Sequence, residues 1–511
     1  MIDQLLAGGD VRSFLGTAEG RLLREEMGQW IAQGLSVDEL VPDRYSEWRP
    51  LVRDCFQFLF AQLSDARLAE KLVEQARLPL ETTPGERLVR LLSKMPAIQK
   101  LGQVLARHQH LGATLRRELT ELENGMSDAA PEEIGKIVAQ QLGTRLVEYA
   151  VRVEPAILSE ASICAVVRFT WRNPESGARE RGVFKVLKPY VPDYFAEDLS
   201  LLQRLSEWLA GNREYGFATD HIAEMVTEVR GLLERELDFA REQAVLLEAA
   251  EVYRYSLGAR VPRLIQPLCT DRITAMSQED GVKITEALPG KVYQRRQVAE
   301  QLIEALVVVP LLSWKEEAVI HTDPHAGNLL YDERARQVVL LDWALTERLN
   351  REMRRQLTLL VVMTVLRNPG GVADAIRRLA TEGQALDPAA ERVIQNRVGK
   401  YFRELPYNYS PGSLDAMRLL DRIALEGVRF PASLAMFQKA LFTLDGVLYD
   451  IAGAKVSISC VLVRDYVVYL LASLGLDHPP LSIGDLIAVP RSALLYPARV
   501  GKAALLTEKV T

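Results

Sequence analysis

The sequence predicts an α+β fold of two lobes, a small β-containing N-lobe and a mostly helical C-lobe, with a helical extension in front. Three observations predict it. Apolar residues recur at three- and four-residue spacing over most of the chain, as in Phe56-Gln57-Phe58-Leu59-Phe60 with Leu63, and give way to strand-like runs only at 159–188, 261–276 and 329–342. One of those runs, Gly182-Val183-Phe184-Lys185-Val186-Leu187-Lys188-Pro189, carries a lysine inside an apolar stretch. Another begins with a polar loop, Ile320-His321-Thr322-Asp323-Pro324-His325-Ala326-Gly327-Asn328, and ends after a charged turn in Val338-Val339-Leu340-Leu341-Asp342-Trp343-Ala344.

Taken in order, residues 1–90 read as helical and carry no chemistry of their own, which assigns them to packing or to a protein partner. The helix over 88–111 contains Lys100-Leu101-Gly102-Gln103, where a mid-helix glycine costs about 1 kcal/mol against alanine and so points to close packing or a bend. A polar break at 123–128 leads into a helix over 132–142. The run from Ser159 to Phe169, a turn at 173–177 and the run 182–189 form a β-hairpin. Alternation puts Lys185 on the face of Val183 and Leu187, where a cation needs an anionic partner. Lys188, beside Pro189 at the strand end, is expected to be solvated. Helices follow over 195–209 and, as one continuous element, over 221–253, where Asp238 and Glu242 share a face and Glu236 points elsewhere. Strands at 261–265 and 273–276 precede a hinge at 276–281. Beyond Asp342 the chain reads as helices over 350–367, 371–379, 389–403, 414–426, 431–451 and 458–474.

The 511 residues carry a net charge of −6 and an ordinary apolar fraction, so nothing recommends a nucleic-acid partner. Four scattered cysteines without metal spacing suit free thiols in a reducing compartment. The first residues show no basic region followed by an apolar run, so a secretory signal is not expected, and no apolar run reaches the roughly 18–20 residues that span a bilayer. The expected location is cytoplasmic, with peripheral membrane contact left open.

The chemistry concentrates in the third run. A hairpin there brings Asn328, near the start of its first strand, close to Asp342 at the end of its second, with Asp323 just before them on the same loop. A carboxylate, an amide oxygen and a second carboxylate are the hard ligands of Mg²⁺ held on substrate phosphates. The spacing H-x-D-x-x-x-x-N followed by D-x-x is the layout of the catalytic loop and metal-binding aspartate of protein-kinase-like folds.

Lys100-x-Gly102-Gln103, Val183-Phe184-Lys185-Val186-x-Lys188-Pro189, Glu236-Leu237-Asp238-Phe239-x-x-Glu242 and His321-x-Asp323-Pro324-His325-x-Gly327-Asn328, in this order, resemble the UbiB family of atypical protein-kinase-like proteins. The resemblance extends to Arg348-Leu349-x-x-Glu352-x-Arg354-Arg355 and to the helix after Arg429-Phe430-Pro431, and so spans about 90–455. It implies ATP and Mg²⁺ as cofactors, with Lys185 on the phosphates, Asp323 as the catalytic-loop aspartate, and Asn328 and Asp342 on the metal. Lys100 and Gln103 would lie in a helical lid, with Glu236, Asp238 or Glu242 pairing to the lysines. Ala161 and Ser162 would stand at the phosphates, and Met276 at the hinge beside the nucleotide. The implied division is 1–90 extension, 91–150 lid, 151–280 N-lobe, 281–455 C-lobe and 456–511 helical tail. A phosphoryl acceptor that is small or lipidic, of isoprenoid or quinone type, fits better than a peptide, because no Ala-Pro-Glu string follows Asp342.

Several positions depart from the family pattern. Thr322 and Ala326 replace its usual glycine and proline. Asp342-Trp343-Ala344 lacks the glycine that reaches positive φ. Glu160-Ala161-Ser162 stands for an alanine-rich loop, with Glu160 expected to repel phosphate, and Ala165-Val166-Val167 replaces polar residues. The Glu160 loop and Asp342-Trp343-Ala344 set one alternative beside an active ATPase or kinase, a nucleotide-binding pseudoenzyme acting as a regulatory or scaffolding partner. A small-molecule kinase of the aminoglycoside or choline type shares the H-x-D-x-x-x-x-N layout, but Lys100-Leu101-Gly102-Gln103 and the late helix argue against it.

Overall fold

The computed structural model describes residues 11–22, 24–34, 43, 46, 49–79, 81–99, 129–212, 219–381, 387–453, 456–473, 483–497 and 499–500. It is mixed α/β and 61% helical. The longer elements up to the middle of the chain are α1 Arg24–Gly34, α2 Arg49–Ala61, α3 Asp65–Ala76, α4 Pro84–Leu92, α5 Pro131–Leu142, β1 Arg152–Glu160, β2 Cys164–Arg172, β3 Arg179–Leu187, α6 Val191–Gly211, α7 Thr219–Leu237 and α8 Phe239–Tyr253. After them come β4 Ala259–Arg260, β5 Ile273–Ser277, β6 Val282–Lys283, α9 Val292–Ile303, β7 Glu317–His321, β8 Leu329–Asp332, β9 Gln337–Leu340 and β10 Thr346–Asn350. The chain ends in α10 Arg351–Val365, α11 Pro369–Thr381, α12 Pro388–Glu404, α13 Ser413–Ala424, α14 Ala432–Ala452, α15 Ile458–Ser473 and α16 Ile483–Leu494. Two compact units result, Met1–Glu242 with Leu264–Gln278, and Gln243–Arg263 with Glu279–Thr511.

The first unit holds an antiparallel sheet in the order β1-β2-β3-β5. One face of it is the core: Ala165, Val167, Phe169 and Trp171 of β2 and Phe184 and Val186 of β3 pack with Ile134, Val138 and Leu142 of α5 and with Ile265, Leu268, Ile273 and Ala275. Alternate residues of a strand point the same way, so these positions define the buried face. Ala165 and Val167 are thus core residues. The expected strand from Ser159 to Phe169 is in fact the end of β1, a tight turn and β2, with the Ala161 N–H donating to the Cys164 carbonyl at 2.8 Å. Most of β1 is exposed and Pro155 interrupts it, as an edge strand tolerates, so its alternation is too weak to read.

The helices before the sheet are tied to this unit by charge as well as packing. Arg67 of α3 and Asp198 of α6, 2% and 0% exposed, meet at 2.5 Å. The guanidinium lies 4.4 Å from the centre of the Tyr194 ring, and Asp198 also accepts the Ala97 N–H. Burial pushes the Asp198 carboxyl up to about 6 while Arg67 pulls it down. Helix α4 starts with a capping box, Thr83 and Glu86 each bonding the other's backbone N–H, with Pro84 at the first turn.

In the second unit the hairpin β8–β9 lies in a sheet of order β4-β9-β8-β6, and β7 pairs with β10. The loop from β7 to β8 and the segment from β9 to β10 are therefore both anchored at two strand ends. Asn350 caps α10, which is buried over most of its length. Arg354, 1% exposed, donates to the carbonyls of Pro310, Ser313, Lys315 and Glu316. All four cysteines are free. Among the described residues no helix is long and apolar enough to cross a membrane.

Candidate active site

In the first unit Lys185 stands in the middle of β3, paired across the sheet with Val166 and Thr274. Its neighbours Phe184 and Val186, both 0% exposed, take the core face. The side chain of Lys185 therefore lies on the opposite, half-buried face with Val183, which corrects the expectation that this was the apolar side. Its Nζ is 2.7 Å from Glu242 Oε1, the two side chains being 12% and 3% exposed. Removing one partner of so buried a pair typically costs 3–5 kcal/mol, because the other charge is left without compensation.

Glu242 is held by a helix break that the sequence reading ran through. Helices α7 and α8 are separate, and Asp238 between them is exposed, its carboxylate accepting the Arg241 N–H at 2.9 Å. Asp238 is thus a cap for α8 rather than a face-mate of Glu242, and its carbonyl accepts the Glu242 N–H at 3.0 Å. Glu236 lies in the last turn of α7 and is half-buried. Met276 sits on β5 opposite Val183. Lys100 and Gln103 lie outside the described residues.

Ala161 and Ser162 form the turn between β1 and β2, and two expectations beside it are corrected. Lys188 is not solvated but 1% exposed, with its Nζ 3.0 Å from Glu160 Oε2. Glu160 is correspondingly 8% exposed. The carboxylate expected to repel phosphate is turned inward onto a lysine.

In the second unit the geometry grows from His321, the last residue of β7 and 4% exposed. Its Nδ1 accepts the Asp323 N–H at 3.2 Å, so Nε2 carries the proton and donates to the Leu341 carbonyl at 3.0 Å. The ring thereby ties the loop before β8 to the segment after β9. Burial holds its pKa below the usual histidine value. Asp323 is buried, and His325 Nε2 is 3.9 Å from its Oδ2. Asn328 turns its NH2 to the Asp323 carbonyl at 3.2 Å, which leaves the amide oxygen as the atom it can offer a cation. The Asn328 carbonyl accepts the Leu341 N–H at 2.8 Å, placing Asn328 one residue from Asp342 across the hairpin.

Asp342 is exposed and has φ 51°, the left-handed conformation that aspartate reaches by bonding its own backbone. Here Oδ1 accepts the Ala344 N–H at 3.3 Å. The positive φ thus falls on Asp342 and not on Ala344, so alanine at 344 is under no strain. Trp343 is 3% exposed, donates from Nε1 to the Leu340 carbonyl at 3.2 Å, and packs its ring edge-on to His321 at 5.3 Å. Thr322 is fully buried, with its N–H on the Leu345 carbonyl.

Among the described residues no three His, Cys, Asp or Glu side chains stand together as a metal site. The donors present, one amide oxygen and one exposed carboxylate, fit Mg²⁺, which keeps most of its positions for phosphate and water. They do not fit a tightly caged transition metal.

Strands with a buried lysine and an H-x-D-x-x-x-x-N loop beside a hairpin aspartate define the class: a kinase-like domain with β-sheet in its N-terminal region and helices in its C-terminal region. The profile of the ABC1 atypical kinase-like domain matches residues 121–376, half of the chain, and the chain belongs to that family. It is 24% identical over 364 residues to the Arabidopsis thaliana protein "ACTIVITY OF BC1 COMPLEX KINASE 1, chloroplastic", covering 70% of this chain and 51% of that one. It is 25% identical over 334 residues to "Probable protein kinase UbiB" of Actinobacillus pleuropneumoniae, covering 63% and 57%. The chain thus spans between 51% and 57% of the length of these curated relatives. A solved Mycobacterium tuberculosis protein in complex with erythromycin shares 17% identity at a TM-score of 0.45, over 71% of this chain and 89% of that one.

Sequence reasoning gave His321 only a place in a motif and missed its two backbone bonds; the Leu341 carbonyl it reaches lies 20 residues away. It also missed that Lys188 and Glu160 are partners. The signal available was two charged residues flanking apolar strands, each of which reads as solvated when taken alone.

Proposed function

We propose that the chain is a Mg²⁺-ATP-dependent atypical kinase or ATPase. The observation that carries this is the anchored loop: Asp323, Asn328 and Asp342 are held in fixed relation by His321 and by the Asn328–Leu341 backbone bond. In this reading Lys185, kept in place by Glu242, neutralises phosphate charge. Asp323 orients the attacking oxygen and accepts its proton, and the Asn328 amide oxygen and the Asp342 carboxylate hold the cation. Mg²⁺, when bound, supplies charge neutralisation on the phosphates. The acceptor is water or a small or lipidic molecule, since β10 runs directly into the buried α10 with no Ala-Pro-Glu string between them. An isoprenoid or quinone-type acceptor follows from the family resemblance.

The departures that favoured a pseudoenzyme have local explanations that leave the chemistry open to proceed. Glu160 is paired with Lys188, and the left-handed residue is Asp342 itself. The test is phosphate release from ATP by the purified chain with Mg²⁺. Asp323→Asn is expected to lower the rate by about a hundredfold or more, the usual weight of a positioned base, while ATP affinity stays near wild type. Equal rates for the two proteins contradict the assignment.

A further inference from the structure

We propose that Glu160 and Lys188 are a positioning pair that shapes the turn Ala161–Ile163 into an anion-binding turn for the nucleotide phosphates. The phosphate half of this proposal rests on the nucleotide reading above; the positioning half does not. Glu160 ends β1 and Lys188 directly follows β3, and β2 lies between those two strands, so the pair joins the ends of its two neighbours. With 8% and 1% of their side chains exposed, the charges interact where water screens them least.

The backbone of the turn is gripped from the same side. The Lys188 N–H donates to the Ile163 carbonyl at 2.9 Å, and the Tyr190 hydroxyl to the Ser162 carbonyl at 3.3 Å. The Ala161 N–H is used on Cys164. With the carbonyls of 162 and 163 drawn into the protein, the N–H groups of Ser162 and Ile163 make no backbone hydrogen bond among the described residues. Two successive N–H groups left over in a turn are the makings of an anion-binding nest, and the Ser162 hydroxyl adds a third donor. This explains how a loop containing a glutamate can serve phosphate, because the carboxylate is taken up by Lys188 while the Ser162 and Ile163 N–H groups keep no backbone partner among the described residues.

Glu160 has a second contact. Its Oε2 lies 3.4 Å from the Ala129 N–H, two residues before α5 begins. The turn and the start of α5 are therefore referred to one carboxylate, which makes Glu160 a positioning residue for both.

Four proteins test this: wild type, Glu160→Gln, Lys188→Arg, and the double variant Glu160→Leu with Lys188→Met. Replacing both members of a buried ion pair by apolar groups of similar volume is often neutral for stability, whereas the single change strands Lys188. The double variant is expected to melt close to wild type. Its amide exchange over residues 161–165 is expected to rise about tenfold, and its KM for ATP to rise by about the same factor, roughly 1.4 kcal/mol, with the loss falling on KM rather than kcat. Lys188→Arg, which keeps the charge pair, should restore both readouts toward wild type. A double variant with wild-type exchange and wild-type KM overturns the proposal, because the pair then only fills space. Raised exchange with unchanged KM overturns the phosphate half. If wild type binds no ATP the nucleotide reading fails, and exchange at 161–165 still decides the positioning role.

Discussion

At the scale of single residues, His321 shows how one buried ring sets a site. Both nitrogens are committed to backbone groups on different segments, and the arrangement requires the neutral ring, since Nδ1 must accept. Burial depresses the folded-state pKa below 6.5, so as pH falls the unfolded chain takes up the proton first. The stabilisation is therefore complete above about pH 6.5 and is lost below it. Replacing the ring forfeits two buried hydrogen bonds, about 1–3 kcal/mol. Thermal melts of wild type and His321→Gln should accordingly differ more at about pH 7.5 than at about pH 5.5, where the unfolded state is favoured by protonation. A gap that does not narrow on acidification contradicts the neutral-ring assignment. Asp342 makes a similar point: the motif locates the carboxylate, but its left-handed backbone follows from the bond to the Ala344 N–H, which no pattern of residue types announces.

Among the elements, the β2–β3 pair is the frame on which Lys185 is mounted, and its packing rests on one small residue. The Phe169 and Phe184 rings stack with centres 3.8 Å apart, and Phe169 lies across Gly182, its partner in register. A Cβ at 182 would stand 2.4 Å from Phe169 Cζ. Gly182→Ala should therefore lower stability in urea by about 1–3 kcal/mol, the usual cost of overpacking, and Phe169→Leu in that background should recover part of it. Wild-type stability for Gly182→Ala would mean the rings have room to move. The hairpin β8–β9 and the C-terminal helices were legible in the sequence because their apolar periods are strong. The edge strand β1 was not, because its residues are mostly exposed. Nor was the break at Asp238, since Leu237 and Phe239 continue the apolar period across it and position 241 is Arg, so the capping box is incomplete.

On the scale of the whole molecule, what the sequence hid is mostly long-range ionic pairing. Arg67 with Asp198 joins residues 131 positions apart, and Lys188 with Glu160 joins the ends of two different strands. Each charge reads alone as a solvated side chain, and only the fold shows that burial has removed that option. The motif residues, by contrast, were legible because phosphoryl chemistry requires a narrow set of hard donors at fixed spacing. The proposed function requires Mg²⁺-dependent ATP binding, with Asn328 and Asp342 on the cation and Lys185 on phosphate. Calorimetric titration of ATP into the purified chain, with and without Mg²⁺, tests it most directly. Binding should depend on Mg²⁺ in wild type, lose that dependence in Asp342→Asn, and weaken about tenfold or more in Lys185→Ala, which removes a charge-assisted contact to phosphate. ATP affinity that is the same in all three proteins, or binding that ignores Mg²⁺ in wild type, would contradict it.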